Sequence, residues 1–404
     1  MTRTTPIHRH AAWLATTLIA LAAALWAPNK AFAESDVQLA DMPDYDWHGG
    51  CFGTANGNLF GFWDRHGLPN FYTGPTGGGL APLNDLGANA NIYAMWASRQ
   101  GLDGRPMGQH GHTDDYYVAY ESTAADPYVT AGRTEHKPDC IGDFIGLSQK
   151  KWSDLNGECA GNIDAYSFVY WDDDGDPRVN YNPPGGVTDI QSGLMDWVRH
   201  CGYEADVLTQ FTEFNPNCAP GKGFTYEDVK REIDNGYPIM IFLQHFNSYS
   251  RPLGSLPNAN PLIHGICIYG YAEKEFFPGE VEQNIYVRTS WASGRAELLW
   301  DGGLWLAGLP ARGVIVVHPK PKITHIDIGA DSIILTWDGP FSQIVDNATA
   351  QTTEAHQYVV EHSTTLETNS FSTVAGPMTA RQATVPHQGA AVGFYRVSLM
   401  ENRP

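Results

Sequence analysis

The sequence predicts an α+β protein followed by a small all-β module. Three observations carry that prediction. Helix signals, a glycine-studded apolar run at 51–65 and a capped segment from Thr225, come ahead of most of the strand signals. The runs PIMIFL, IHGICIYGY, NIYVRTSW and ARGVIVVHP then follow one another without intervening helices, which excludes an alternating βαβ order. Finally, the Pro-rich segment HPKPKI (318–323) leads into short, alternating, β-branched and aromatic runs divided by Gly, Asp, Asn and Pro.

The chain opens with Arg3 and Arg9 ahead of an apolar run from Ala11 to Ala27, and Ala31-Phe32-Ala33 supplies a small-x-small cleavage pattern. Residues 1–33 are therefore expected to be a signal peptide cleaved after Ala33, giving a secreted or periplasmic protein; a retained N-terminal anchor is the alternative. No later stretch reaches spanning length, so no stable membrane insertion is expected after the leader is removed. The larger domain is expected over 34–318. In its first helix Phe52, Ala55, Leu59 and Phe62 follow helical spacing toward a core, and Gly67 and Pro69 close the helix. Gly53, Gly57 and Gly61 make one smooth stripe. Each costs about 1 kcal/mol against alanine, so a backbone or a bulky wall is expected against them. Thr225 with Asp228 opens a second helix as a capping box, with an acid in place of the usual Glu, and Asn235-Gly236 stops it. Pro238 to Leu243 then reads as a buried strand, with three more at 263–271, 284–291 and 311–319. Beyond HPKPKI, residues 323–404 read as a small β-sandwich with Trp337 and Tyr395 as core aromatics, similar to a fibronectin type III-like module.

The formal net charge is −20 at pH 7, and the leader holds Arg3, Arg9 and Lys30 but no acid, so the mature chain is more acidic still. Such a surface disfavours nucleic acid and anionic membranes as partners. Of the six cysteines, 140 with 159 and 201 with 218 are close enough in sequence for local bridges in an oxidising compartment. Cys267 lies in an apolar run and reads as a small core residue. Cys51 is left over, either as a reactive thiol or as half of a third bridge, to Cys267.

The stretch GGCFGTANG gives the leftover thiol a chemical setting. Gly49 and Gly50 offer no side chain to cap the helix that Cys51 opens, so its first amides stay free. The positive end of the helix dipole favours thiolate over thiol, and the same amides could hold a developing oxyanion. A thiol nucleophile also needs a proton acceptor. Among 15 histidines, His264 stands out at the head of a strand, where its backbone would be fixed.

Four segments in this order resemble the papain-like cysteine peptidases, and most nearly their bacteriocin-leader-processing branch, peptidase family C thirty-nine. GGCFGTANGNLFGFWDRHG resembles the branch's GC-x-x-T-A-x-x-x-x-GYW helix, IDNGYPIMIFL its I-x-x-G-x-P-[IV] strand entry, and HGICIYGYAEKE its H-x-x-x-x-x-GY segment. The papain-like NSW run is answered by Thr289-Ser290-Trp291. The resemblance covers about 46–70 and 225–318. It implies a papain-like fold, with a helical half and an antiparallel sheet half, and peptide-bond hydrolysis through a thioester. Cys51 would be the nucleophile and His264 the base and acid, and Thr289 would orient the imidazole through its hydroxyl; no cofactor is implied. The substrate would be a peptide or protein. Two positions depart from the pattern: Thr289 stands where Asn or Asp is usual, and Tyr45 where the oxyanion-hole Gln is usual. The span from Cys51 to His264 exceeds the ~130–150 residues usual for papain-type enzymes, so an insertion is expected around 103–200.

Two other readings stay open. One is a catalytically weak or inactive papain-like module that binds peptides or cell-surface material. The other is a metal-dependent hydrolase, because HGHTDD places His110 and His112 in a run similar to the H-x-H-x-D ligands of metallo-β-lactamase-fold hydrolases. The acidic run WDDDGDP lacks the closing Glu of a calcium loop and reads as a solvated turn.

Overall fold

A computed structural model describes residues 35–47, 51–72, 79–96, 140–145, 174–181, 190–244, 263–277, 279–290, 293–301, 310–387 and 393–400. The expected leader (1–33), His110, His112, Cys159 and much of the expected insertion lie outside them. Among the described residues no helix is long and apolar enough to cross a membrane.

The class is α+β, with few helices and predominantly antiparallel strands. The described helices are α1 (Cys51–Arg65), α2 (Ile141–Ile145), α3 (Ile190–His200) and α4 (Tyr226–Asp234), with a 3-10 segment at Gly87–Met95. Among the described residues, ten strands form one sheet. They are β1 (Asp36–Leu39), β2 (Arg178–Val179), β3 (Ala205–Phe211), β4 (Ile239–Gln244), β5 (Ile263–Phe277), β6 (Glu280–Arg288), β7 (Arg295–Leu299), β8 (Ala311–Pro319), β11 (Gln343–Asp346) and β12 (Gln351–Glu354). Their order is β12-β11-β1-β5-β4-β8-β3-β2, and β6 pairs with β5 and β7. All four expected strands are present. β4 lies between β5 and β8, and its apolar residues 239–243 are buried on both faces.

The remaining strands make the sandwich. β9 (Lys322–Ile328), β10 (Ser332–Asp338) and β15 (Gln382–Pro386) form one three-stranded sheet. β13 (Tyr358–Ser363), β14 (Ser372–Met378) and β16 (Phe394–Leu399) form the other. Their alternating residues meet in a separate small core around Leu335, Trp337, Tyr358 and Val360, with Tyr395 at its margin. The structure redraws one part of the expected 323–404 module. Residues 343–354 leave it as the β11–β12 hairpin, which pairs with β1 at the edge of the large sheet. β1 would otherwise present an unpaired row of amides there, and Ile344 packs on the main core.

Helix α1 is more deeply placed than its spacing suggests. Every residue from Cys51 to Asp64 is buried, not only the apolar face. Two of its polar side chains are each partly satisfied inside the protein: Asn56 Nδ2 donates to the Phe52 carbonyl at 2.9 Å, and Asn58 Oδ1 accepts from the Tyr45 amide at 2.9 Å. Two of the three stripe glycines, Gly57 and Gly61, meet the expected wall. A Cβ on Gly57 would fall 2.4 Å from the Trp96 ring, and one on Gly61 would fall 2.7 Å from the Tyr45 hydroxyl. Those two rings stack with centroids 5.4 Å apart. The α4 capping box is formed from both sides, Thr225 with Asp228, and Gly236 follows with φ +85°.

The expected Cys201–Cys218 bridge is absent. Cys201 follows α3 ahead of β3 and Cys218 lies beyond the far end of β3, so seven extended residues, about 20 Å of strand, run between the two positions. Cys218 Sγ instead donates to the Thr212 carbonyl at 3.1 Å. Cys267 is unbridged and fully buried, which also removes a Cys51–Cys267 bridge.

The end of α1 is tied to the segment between β10 and β11. Gly339 N donates to the Gly67 carbonyl and Phe341 N to that of His66, each at 3.1 Å. Ser342 Oγ donates to the Gly236 carbonyl at 2.7 Å. His356 closes this junction: its Nδ1 accepts from the Ser342 amide at 3.1 Å, and its ring lies against Trp63 and Tyr237. Burial, reinforced by His318 and His66 nearby, lowers its pKa to about 3. The unfolded chain therefore binds a proton at this residue between about pH 6.5 and 3 that the fold refuses, so stability is lost as pH falls through that window. His356→Gln keeps an acceptor for Ser342 but cannot titrate. Chemical unfolding of this variant should show a smaller loss of stability between pH 7 and pH 5 than the parent; an equal loss would contradict the assignment.

Candidate active site

The site is assembled where the start of α1 meets the start of β5. Phe52, completely buried, packs against Phe242 of β4 with ring centroids 5.0 Å apart. Gly265 of β5 is the register partner of Phe242, and a Cβ there would fall 2.8 Å from Phe52 Cδ1. The absent side chain is what lets the helix sit down on the strand. Cys51 and His264 are the immediate chain neighbours of this contacting pair. Both are buried, at 5% and 1% exposure.

His264 is held from the next strand. Its Nε2 lies 2.5 Å from the backbone carbonyl of Thr289, at the end of β6. A carbonyl only accepts, so Nε2 carries the hydrogen and the lone pair is on Nδ1. Nδ1 is itself shielded from solvent. Burial lowers the imidazole pKa to about 4, a shift that the Thr289 carbonyl opposes only in part. The ring is thus neutral at ordinary pH and able to accept a proton. The resemblance expected the Thr289 hydroxyl to orient this ring, whereas the hydrogen bond found here is to its main-chain oxygen. Sequence offers little signal for that, because any residue supplies a carbonyl. Gly265 was the legible clue: a glycine inside an apolar strand marks a close approach.

The segment entering α1 is fixed to the same strand end. Arg288 donates from Nε to the Pro43 carbonyl at 3.2 Å and from Nη2 to that of Met42 at 3.1 Å, and lies 3.4 Å from Asp44. Asp44 in turn accepts from the Gly294 amide at 2.6 Å. One guanidinium therefore ties the approach to Cys51 to the residue preceding Thr289. Tyr45, at the position of the usual oxyanion-hole Gln, has its hydroxyl committed to the Pro82 carbonyl at 2.6 Å. Gly49 and Gly50 lie outside the described residues.

His110 and His112 are outside the described residues, among which no group of three or more His, Cys, Asp or Glu is arranged to hold a metal ion. In the acidic run, Asp174 and Asp176 both engage Lys222, at 2.5 and 2.7 Å, as a surface turn would. No protein-family model, curated protein or solved structure matches this chain.

Proposed function

We propose that the chain is an exported cysteine-type peptidase of papain-like architecture, with Cys51 as nucleophile and His264 as general base and acid. The observation that carries this reading is the seating of Phe52 on Gly265 and Phe242, which brings the start of α1 to the start of β5. In the proposed reaction Cys51 Sγ attacks the scissile carbonyl carbon while its proton passes to His264 Nδ1. The tetrahedral oxyanion is met by amides of the first turn of α1, which have no acceptor within the helix. The same proton then goes to the leaving amine and a thioester remains. Water, deprotonated by His264, hydrolyses it and restores the thiol. No cofactor enters these steps.

The test is hydrolysis of a mixed peptide library by the wild type and by Cys51→Ala, read by mass spectrometry. A second arm uses a dihaloacetone, which alkylates a thiol and an imidazole only when they are a few ångströms apart. A Cys51–His264 cross-link supports the reading. Hydrolysis that survives in Cys51→Ala would remove the nucleophile, and a thiol alkylated without cross-linking would separate the two residues.

The buried, neutral state of His264 also sets the pH profile. The base works only while unprotonated, and its pKa lies near 4, not near 6.5. The acid limb of kcat/KM should therefore fall at about pH 4. A limb near 6.5 would mean that the base is a solvated histidine elsewhere.

A further inference from the structure

We propose that the third member of this site is a main-chain group, the carbonyl of Thr289, and that Ser290 is the residue that positions it. The proposal rests on the cysteine-peptidase reading of the site but concerns a different relation, that between the imidazole and the strand beside it.

Three features of residues 288–290 support it. First, the contact to His264 Nε2 is made by the Thr289 main-chain oxygen at 2.5 Å. Second, Ser290 has φ +59°, a left-handed backbone in a residue with a Cβ, at the point where β6 stops pairing. Such a conformation costs roughly 1–2 kcal/mol in a non-glycine residue and persists only when the surroundings impose it. Third, Ser290 is 1% exposed, yet its hydroxyl makes no hydrogen bond among the described residues. Burying an unsatisfied hydroxyl adds a second cost at the same residue. The left-handed backbone is kept here despite both costs. Strain of this kind collects at functional positions.

The consequence is specific. Arg288, anchored to the Met42 and Pro43 carbonyls, fixes the strand on one side of Thr289, and the left-handed turn at Ser290 fixes it on the other. The carbonyl between them is a rigid acceptor independent of the side chain at 289. It holds the imidazole in the Nε2–H tautomer and leaves Nδ1 to take the thiol proton. A peptidase with Thr in place of the usual Asn then still has an oriented base.

Histidine-selective nitrogen-15 labelling and long-range nitrogen–proton NMR read the tautomer without requiring activity, with the His264 signals assigned by their loss in His264→Gln. Wild type should show Nε2–H at His264, and so should Thr289→Ala, which keeps the carbonyl, and Ser290→Gly, to which the left-handed backbone is open. Ser290→Val, β-branched and excluded from that region, should shift the ring toward Nδ1–H. Its kcat should be at least about tenfold below that of Ser290→Gly, a misorientation effect of the kind that positioning supplies, with KM within about twofold. An Nδ1–H ring in the wild type, or loss of the Nε2–H signature in Thr289→Ala, overturns the proposal even if Ser290→Val fails to fold. Absence of hydrolysis with the Nε2–H signature intact would instead sink the peptidase reading and leave the orientation standing.

Discussion

Cys51→Ala is expected to lower peptide hydrolysis by about 10⁴-fold or more, and His264→Ala by a comparable factor, as when a nucleophile or its base is removed from a unit that acts together. The double variant should be no slower than the worse single one, because neither residue contributes without the other. The fold should survive. Cys51 is nearly buried, and exchanging its sulfur for hydrogen costs roughly what a buried methylene is worth, about 0.8 kcal/mol. Kinetics paired with thermal unfolding check both halves. A rate loss accompanied by unfolding, or additive losses in the double variant, would count against a thiol–imidazole unit.

Gly265→Val should damage the site without touching either proposed catalytic side chain. A Cβ at Gly265 would stand 2.8 Å from Phe52 Cδ1 and 3.0 Å from Cε1, and the ring is backed by Phe242, so it cannot yield. Overpacking of this kind costs typically 1–3 kcal/mol, and part of the strain is relieved by lifting the start of α1 from β5. A displacement near 1 Å between reacting groups can cost about 10² in rate. The variant should therefore lose stability by ~1–3 kcal/mol and kcat by about 10²-fold. A second substitution, Phe52→Leu, should recover part of both by making room. Full activity in Gly265→Val would show that the α1–β5 contact does not set the geometry.

Much of this arrangement was legible in the chain. Apolar runs 238–243, 263–271 and 311–319 became strands because a buried sheet strand needs only continuous apolar character. Thr225, Asp228 and Gly236 marked the ends of α4 through local hydrogen bonding and a positive φ. The glycines of α1 announced a close partner, which proved to be Trp96 and Tyr45. Cys201 and Cys218 misled, because short separation in sequence says nothing about a strand that runs between two residues and carries them apart.

The sequence by itself determined the α+β class, the strand and helix segments, and the two residues worth testing as nucleophile and base. These follow from periodicity, capping and side-chain chemistry, all of which act over a few neighbouring residues. Only the tertiary structure decided that α1 is buried on every side, that residues 343–354 complete the large sheet, and that His264 meets a carbonyl and not a hydroxyl. Those outcomes depend on which segments meet across hundreds of residues and on backbone groups that every residue carries, so no local pattern encodes them. The turn at Ser290 belongs with them, since its left-handed backbone runs against the preference of a residue with a Cβ.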